Sequence, residues 1–141
     1  MTGAATVTFS VVVAAWSGPP ALARCLAALL PQLREGDEIV VAQNFPGGGV
    51  DGGAAGDPRT SPRVTVIRCA DDTNVPRLRS AGLAATRGAV VAFLEDHAEP
   101  LTGWRDAIVA AFAARTRNSH GAAATQRDAR RPLAAERMVA V

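Results

Sequence analysis

The chain has 141 residues, of which 48% are hydrophobic and 20% are charged, the length and composition of one globular domain. All 15 basic residues are arginine, and the net charge of +2 comes from residues 115–141, which carry six arginines and two acidic residues. With only two Trp and four Phe in the chain, these arginines are not interleaved with aromatic residues, so composition argues against a nucleic-acid-binding module.

The sequence predicts neither a membrane span nor an export signal. No apolar run approaches the ~20 residues that cross a bilayer. The apolar amino-terminal segment lacks the basic residues that open a secretory signal. We therefore expect a cytoplasmic protein without a transmembrane segment, and membrane-peripheral association is left open. Cys25 and Cys69 lack the spacing of metal ligands and are interpreted as small buried hydrophobic residues.

Strand and helix patterns alternate through the first 114 residues. In chain order they predict a strand at 7–15, a helix at 21–30, strands at 38–42 and 64–67, a helix at 75–86, a strand at 89–94 and a helix at 104–114. The Gly- and Pro-rich segment 44–62 lacks the spacing of a phosphate-binding loop, and its length indicates a functional excursion or local disorder. The order predicts an α/β fold with three α/β/α layers and a mostly parallel sheet.

The end of the chain has a different pattern. Residues 115–141 are mainly Ala and Arg, with no sustained apolar period. We interpret residues 1–114 as the folded domain and residues 115–141 as a tail that is either disordered or forms a short helix at 132–139.

The segment 89–104, AVVAFLEDHAEPLTGW, carries the strongest functional signal. Its apolar strand stops on Glu95, Asp96 and His97, which are residue types that ligate metals. Open α/β sheets bind ligands in a crevice at the carboxyl ends of their strands, so these side chains are expected at a binding site. The alternative is a charged strand end that is simply exposed to solvent.

Three segments carry a family resemblance: VTFSVVVAAWSGPPALARCLAALLPQ, DEIVVAQN, and VTVIRCADDTNVPRLRSAGLAATRGAVVAFLEDHAEPLTGW. In order and spacing they resemble the amino-terminal half of family 2 glycosyltransferases, which have the GT-A nucleotide-sugar fold, over about residues 6–114. The resemblance implies a nucleotide-contacting turn after the first strand and a DxD metal motif after an Arg-rich helix. The implied partners are a nucleotide-diphospho-sugar donor, UDP- or GDP-linked, and an unidentified acceptor.

The resemblance places Glu95 and His97 at the first and third positions of DxD, with Asp96 between them as a nucleotide-binding residue. The segment is also similar to the DxH motif of polypeptide GalNAc-transferases, and here it continues as HAEPLTGW. A divalent cation that bridges diphosphate oxygens anchors the donor and stabilises the leaving group. Because imidazole suits Mn²⁺ better than Mg²⁺, a manganese preference is expected.

Five further positions are implied to contact the nucleotide. Trp16 and Ser17 stand where the family often has an aromatic residue and Asn, and Trp16 either stacks on the base or packs in the core. Gln43 and Asn44 replace an acidic pair and would hydrogen-bond a base edge without charge. Arg79, in a segment RSAG that resembles the family's Arg-Asn-x-Gly, would approach a phosphate or orient the acidic strand end.

The catalytic base is not identifiable in the sequence. The family places it after the metal motif, and residues 126–131 (QRDARR) resemble a Q/RxxRW signature only faintly, without its Trp. We therefore expect a donor-binding part of the enzyme, a fragment or a frameshift product. The alternative is a non-catalytic, degenerate module that binds nucleotide or a partner protein. A dinucleotide-binding Rossmann domain is disfavoured, because AAWSGPPA after the first strand has one Gly and two Pro.

Overall fold

The computed structural model describes residues 7–47, 56–122 and 138–140. The strands are β1 Phe9–Ala15, β2 Glu38–Gln43, β3 Val64–Arg68, β4 Val90–Glu95 and β5 Met138–Ala140. The helices are α1 Pro19–Leu29, α2 Val75–Ala85 and α3 Trp104–Ala122, with short 3-10 turns at Leu30–Gln32 and Pro58–Thr60. The strands form one parallel sheet in the order β3-β2-β1-β4-β5.

The helices cover both faces of this sheet, which confirms the predicted α/β/α layering. Alternate residues of β1 point to opposite faces, as in any strand. Val11 and Val13 pack with the buried face of α1 and with apolar side chains of α3. Ala14 packs on the other face with Leu78 of α2. The central strand β1 is buried along its whole length, and this explains its nearly continuous apolar sequence.

Two helix starts follow from local chemistry. Pro19 and Pro20 occupy the first turn of α1, where a missing amide hydrogen and a fixed φ are tolerated. Gly18 precedes them at φ 101°, a conformation that favours glycine. Asn74 caps α2 by accepting a hydrogen bond from the Arg77 amide at 3.1 Å. None of the described helices is long and apolar enough to cross a membrane.

The end of the described chain differs from the prediction. Helix α3 continues through Ala122, past the predicted boundary at residue 114. Met138 pairs in parallel with Val90, so the predicted short helix at 132–139 is wrong for residues 138 and 139. The edge of β4 offers unpaired backbone groups, and pairing with them favours a strand there. Residues 132–137 and the segment 126–131 lie outside the described residues, and the division into domain and tail stays a prediction.

A buried ion pair joins the amino edge of the sheet to α3. Asp37 and Arg105 are only 4% and 5% exposed. The guanidinium donates from Nε to Asp37 Oδ2 at 2.8 Å and from Nη2 to Oδ1 at 3.0 Å. The same carboxylate accepts the amides of Phe9, which begins β1, and of Arg34. One acidic residue therefore holds together β1, the turn before β2 and the start of α3.

Candidate functional site

The carboxyl edge of the parallel sheet collects most of the sequence-predicted site residues. Trp16 and Ser17 follow β1, Asn44 follows β2, and Glu95 ends β4. Since β1 lies between β2 and β4, the turn after β1 occupies the centre of this edge. Parallel pairing thus brings together segments that are about 30 to 80 residues apart, as expected for a ligand-binding crevice in an open α/β sheet.

Glu95 is held between two basic side chains. Its Oε1 accepts a hydrogen bond from Arg79 Nη2 at 3.2 Å, and its Oε2 lies 3.6 Å from Nδ1 of His97. The side chains of Glu95 and Arg79 are about one-third exposed, whereas His97 is 59% exposed. Of the two roles predicted for Arg79, the contact to Glu95 is the one that orients the acidic strand end. Arg79 Nε is buried and has no hydrogen-bond partner within the part of the chain that the structure describes.

Trp16 stands beside His97 at the surface. The two rings meet edge to face, with centroids 5.9 Å apart and an interplanar angle of 75°. The indole is 48% exposed, so Trp16 does not pack in the core, and that alternative is wrong. An exposed aromatic face next to the carboxylate and imidazole is a geometry on which a planar base can stack.

Asp96 points away from this exposed group. It is fully buried, and its Oδ2 accepts the amides of Trp16 at 3.0 Å and Ser17 at 2.7 Å. Its Oδ1 is buried without a hydrogen-bond partner among the described residues. The predicted direct contact between Asp96 and a nucleotide does not fit this burial. The carboxylate holds the turn after β1 instead, and the exposed Ser17 is fixed through its amide.

Gln43 is also turned inward. It is fully buried, its amide nitrogen donates to the carbonyls of Phe45 and Gly47, and its Oε1 accepts from Arg59 Nη1 at 3.3 Å. With both ends of the amide engaged, the predicted contact of Gln43 with a base edge does not fit. Gln43 organises the loop after β2. Asn44 is half-buried, and its Nδ2 donates to the Thr73 carbonyl at 3.1 Å, which ties this loop to the segment before α2.

Arg59 is a site-supporting residue that the sequence analysis missed. It is 8% exposed and pairs with Asp57, whose pKa its hydrogen bond lowers below the ordinary value. The sequence Asp57-Pro58 could have signalled the start of the short turn, because Asp is a favoured cap and Pro a favoured first residue. Nothing local indicated that Arg59 reaches Gln43, since that contact joins residues 16 positions apart.

Cys25 of α1 lies under the site and is expected to be unreactive. Burial raises the pKa of its thiol to about 12, and the charges of Asp96 and Glu99 add to the rise. The thiolate is the reactive form. At pH 8 the folded protein should therefore react with a thiol reagent such as dithionitrobenzoate at the half-exposed Cys69 and not at Cys25, whereas both thiols react in denaturant.

A Cys69→Ser variant is the control, and it should show no rapidly reacting thiol while folded. The raised pKa of Cys25 also makes the free energy of unfolding decrease as the pH rises from about 9 to about 12. In this range the unfolded chain loses the thiol proton that the folded chain keeps. Rapid labelling of Cys25 in the folded Cys69→Ser variant would contradict the buried position of this thiol.

The part of the chain that the structure describes contains no cluster of three or more His, Cys, Asp or Glu side chains that could hold a metal ion. Glu95 and His97 offer two donor side chains on one side of the strand end. Mg²⁺ and related ions are often bound by one or two carboxylates plus substrate phosphates, so a two-residue set fits a cation that arrives with a diphosphate.

Comparison with known proteins gives one finding. Residues 10–133 match the family model described as Glycosyl transferase family 2. No curated protein and no solved structure gives a significant match. The matched range covers most of the chain and includes every residue placed at the carboxyl edge. The parallel α/β/α fold agrees with it, and the chain belongs to glycosyltransferase family 2.

Proposed function

We propose that the carboxyl edge binds a nucleotide-diphospho-sugar together with a divalent cation held by Glu95 and His97. What supports this is their placement: an Oε2 to Nδ1 separation of 3.6 Å, with the imidazole mostly exposed. These two side chains would hold the cation only when it arrives with the diphosphate of the donor. When bound, the cation neutralises charge on the leaving diphosphate. Imidazole among the donors favours Mn²⁺ over Mg²⁺.

The chain's own residues supply the remaining contacts in this proposal. The exposed indole of Trp16 stacks on the nucleobase. Because every base has an aromatic face that can stack in this way, both UDP and GDP are candidates. Asn44 and Ser17 lie at the same edge and offer polar groups to the base or ribose. Arg79 keeps Glu95 in place through the 3.2 Å contact and adds positive charge close to the diphosphate.

The reaction we propose is transfer of the sugar to an acceptor hydroxyl, which attacks the anomeric carbon as the nucleoside diphosphate leaves. The described residues at this edge do not identify the catalytic base, because Asp96 is buried and Glu95 is paired with Arg79 and His97.

One observation favours a second candidate, a non-catalytic module that binds nucleotide without metal. The guanidinium of Arg79 already pairs with the Glu95 carboxylate, so this carboxylate does not require a metal ion for charge balance. The two candidates differ in two measurable respects, namely dependence on Mn²⁺ and turnover of a sugar nucleotide.

The test is isothermal titration of UDP and of GDP, each with Mn²⁺, with Mg²⁺ and with neither ion. We expect binding of one nucleotide to depend on the cation and to be tightest with Mn²⁺. Loss of an outer-shell partner of a metal site commonly costs about 10–100-fold in metal affinity. Glu95→Gln and His97→Ala remove direct ligands, so each should weaken the Mn²⁺-dependent binding of the nucleotide at least about tenfold.

Glu35→Gln is the matched control for Glu95→Gln, because Glu35 is exposed and precedes β2 at the opposite edge of the sheet. Its affinity should equal that of the unmodified protein. Absence of metal-dependent heat with both nucleotides would sink the proposal. Metal-independent binding that survives in His97→Ala would favour the second candidate. Sugar-nucleotide hydrolysis that disappears in His97→Ala would exclude the inert module.

A further inference from the structure

The side chain of Asp96 hydrogen-bonds to the backbone of the turn after β1. A single carboxylate oxygen, Oδ2, accepts both consecutive amides, from Trp16 and from Ser17. Hydrogen bonds to an ionised acceptor are roughly twice as strong as neutral ones. Because Asp96 is fully buried, these bonds are also shielded from competing water. The same residue donates its own amide to the Ala14 carbonyl at 3.1 Å, which fixes its position against β1.

The turn has few other means of holding this shape. Pro19 and Pro20 have no amide hydrogen, and Gly18, the cap residue of α1, has no side chain with which to cap. Between β1 and these prolines, the amides of Trp16 and Ser17 both donate to Asp96. Without that acceptor the turn would lose its two backbone hydrogen bonds to the residue that follows β4.

The direction of the Trp16 side chain depends on this turn. Its ring meets His97 edge to face, and His97 follows Asp96 directly in the chain. The Asp96 carboxylate therefore binds the backbone amide of Trp16, and the next residue, His97, contacts the Trp16 ring. The two amides that Asp96 occupies are also not available to a phosphate group, so the turn contributes an aromatic surface to the site and not a phosphate-binding pair of amides.

We propose that Asp96 is a positioning residue that sets Trp16 against His97 and thereby determines how tightly the site binds the nucleobase, without affecting its hold on the diphosphate. This rests on the proposed function. The residue in the middle of the Glu95-Asp96-His97 motif thus acts on base recognition through the turn, while its two neighbours face the diphosphate.

The test compares two probes, inorganic pyrophosphate and the nucleotide (UDP or GDP) that binds the unmodified protein, both with Mn²⁺. Asp96→Ala should weaken nucleotide binding by about 5- to 150-fold, the loss expected for one base–aromatic stack. Pyrophosphate affinity should stay within about twofold. Trp16→Ala should give the same pattern. The double variant should bind no more weakly than either single variant, because both substitutions remove the same contact.

Amide hydrogen exchange at Trp16 and Ser17 reads the contact directly. Both amides should exchange slowly in the unmodified protein and much faster in Asp96→Ala. If Asp96→Ala fails to fold, Asp96→Asn replaces it, since the amide oxygen keeps an acceptor while the charge is lost. That variant should show intermediate exchange and a smaller loss of nucleotide affinity.

Equal weakening of nucleotide and pyrophosphate by Asp96→Ala would overturn the inference, because it would show a general loss of structure. So would additive effects of the Asp96 and Trp16 substitutions, or wild-type exchange rates in Asp96→Asn. A protein that binds pyrophosphate but neither nucleotide would overturn the base contact while leaving the metal site. A protein that binds neither probe would overturn the proposed function and this inference with it.

Discussion

Replacing Asp37 by alanine is expected to lower the free energy of unfolding by about 3–5 kcal/mol, the usual cost of removing one partner of a buried ion pair. Arg105 would keep a guanidinium that is only 5% exposed, without its bidentate counter-charge. The amides of Phe9 and Arg34 would lose their acceptor in the same step. Since domains of this size are stable by only about 5–15 kcal/mol, the loss should be plain in urea denaturation followed by circular dichroism.

Asp106→Ala is the matched control. Asp106 is the other carboxylate that binds Arg105, at 3.1 Å from Nη1, but its side chain is 51% exposed. Water replaces such a partner easily, so the loss should be far smaller. Hydrogen bonds from Arg34 and Arg105 lower the pKa of Asp106 to about 2. Its small contribution is therefore present above about pH 4 and disappears as the pH falls through 2.

Equal losses in the two variants would contradict the assigned importance of the buried pair. A stability profile of Asp106→Ala that falls between pH 4 and pH 2 as steeply as that of the unmodified protein would contradict the pairing of Asp106. Asp37→Asn keeps the shape of the side chain but removes the charge facing Arg105. It also keeps an acceptor for only one of the two backbone amides, because Phe9 donates to Oδ1 and Arg34 donates to Oδ2.

The position of the candidate site was predictable because it depends on strand order and on little else. Once four apolar segments are strands of a parallel sheet, the residues that follow them must share one edge. Glu95 and His97 meet there. The three-layer fold was predictable for the same reason, since helices that alternate with parallel strands must cover both faces of the sheet.

The direction of individual side chains at this edge was less predictable. Asp96 turns into the protein although both of its neighbours are at least partly exposed. Strand β4 ends at Glu95, and the chain turns there with a hydrogen bond of 3.0 Å from the Ala98 amide to the Glu95 carbonyl, so strand alternation does not predict the direction of Asp96. For Gln43 no local signal existed, because its partner Arg59 approaches from a loop. The Asp37 to Arg105 pair joins residues 68 positions apart, and formal charge alone does not reveal which charges are buried.

Gly82→Ala is expected to destabilise the protein by about 1–3 kcal/mol, a typical cost of overpacking. Helix propensity alone predicts the opposite, since Ala in a helix interior is favoured over Gly by about 1 kcal/mol. The decisive contact is between helix and sheet: a Cβ at Gly82 of α2 would lie 2.4 Å from Cγ1 of Val12. Val12 is β-branched and lies in β1 between two strands, so it has little freedom to move.

The sign of the effect should reverse once the obstructing methyl group is removed. In a Val12→Ala background, Gly82→Ala should be neutral or stabilising, whereas Ser80→Ala on the exposed side of α2 should change stability by less than about 0.5 kcal/mol in either background. Stabilisation by Gly82→Ala in the unmodified protein would show that α2 does not approach β1 this closely.

The close approach of α2 to β1 also affects the candidate site, because Arg79 contacts Glu95 from the same helix. A helix displaced outward by Gly82→Ala should therefore weaken nucleotide binding as well, and the Val12→Ala background should restore part of it.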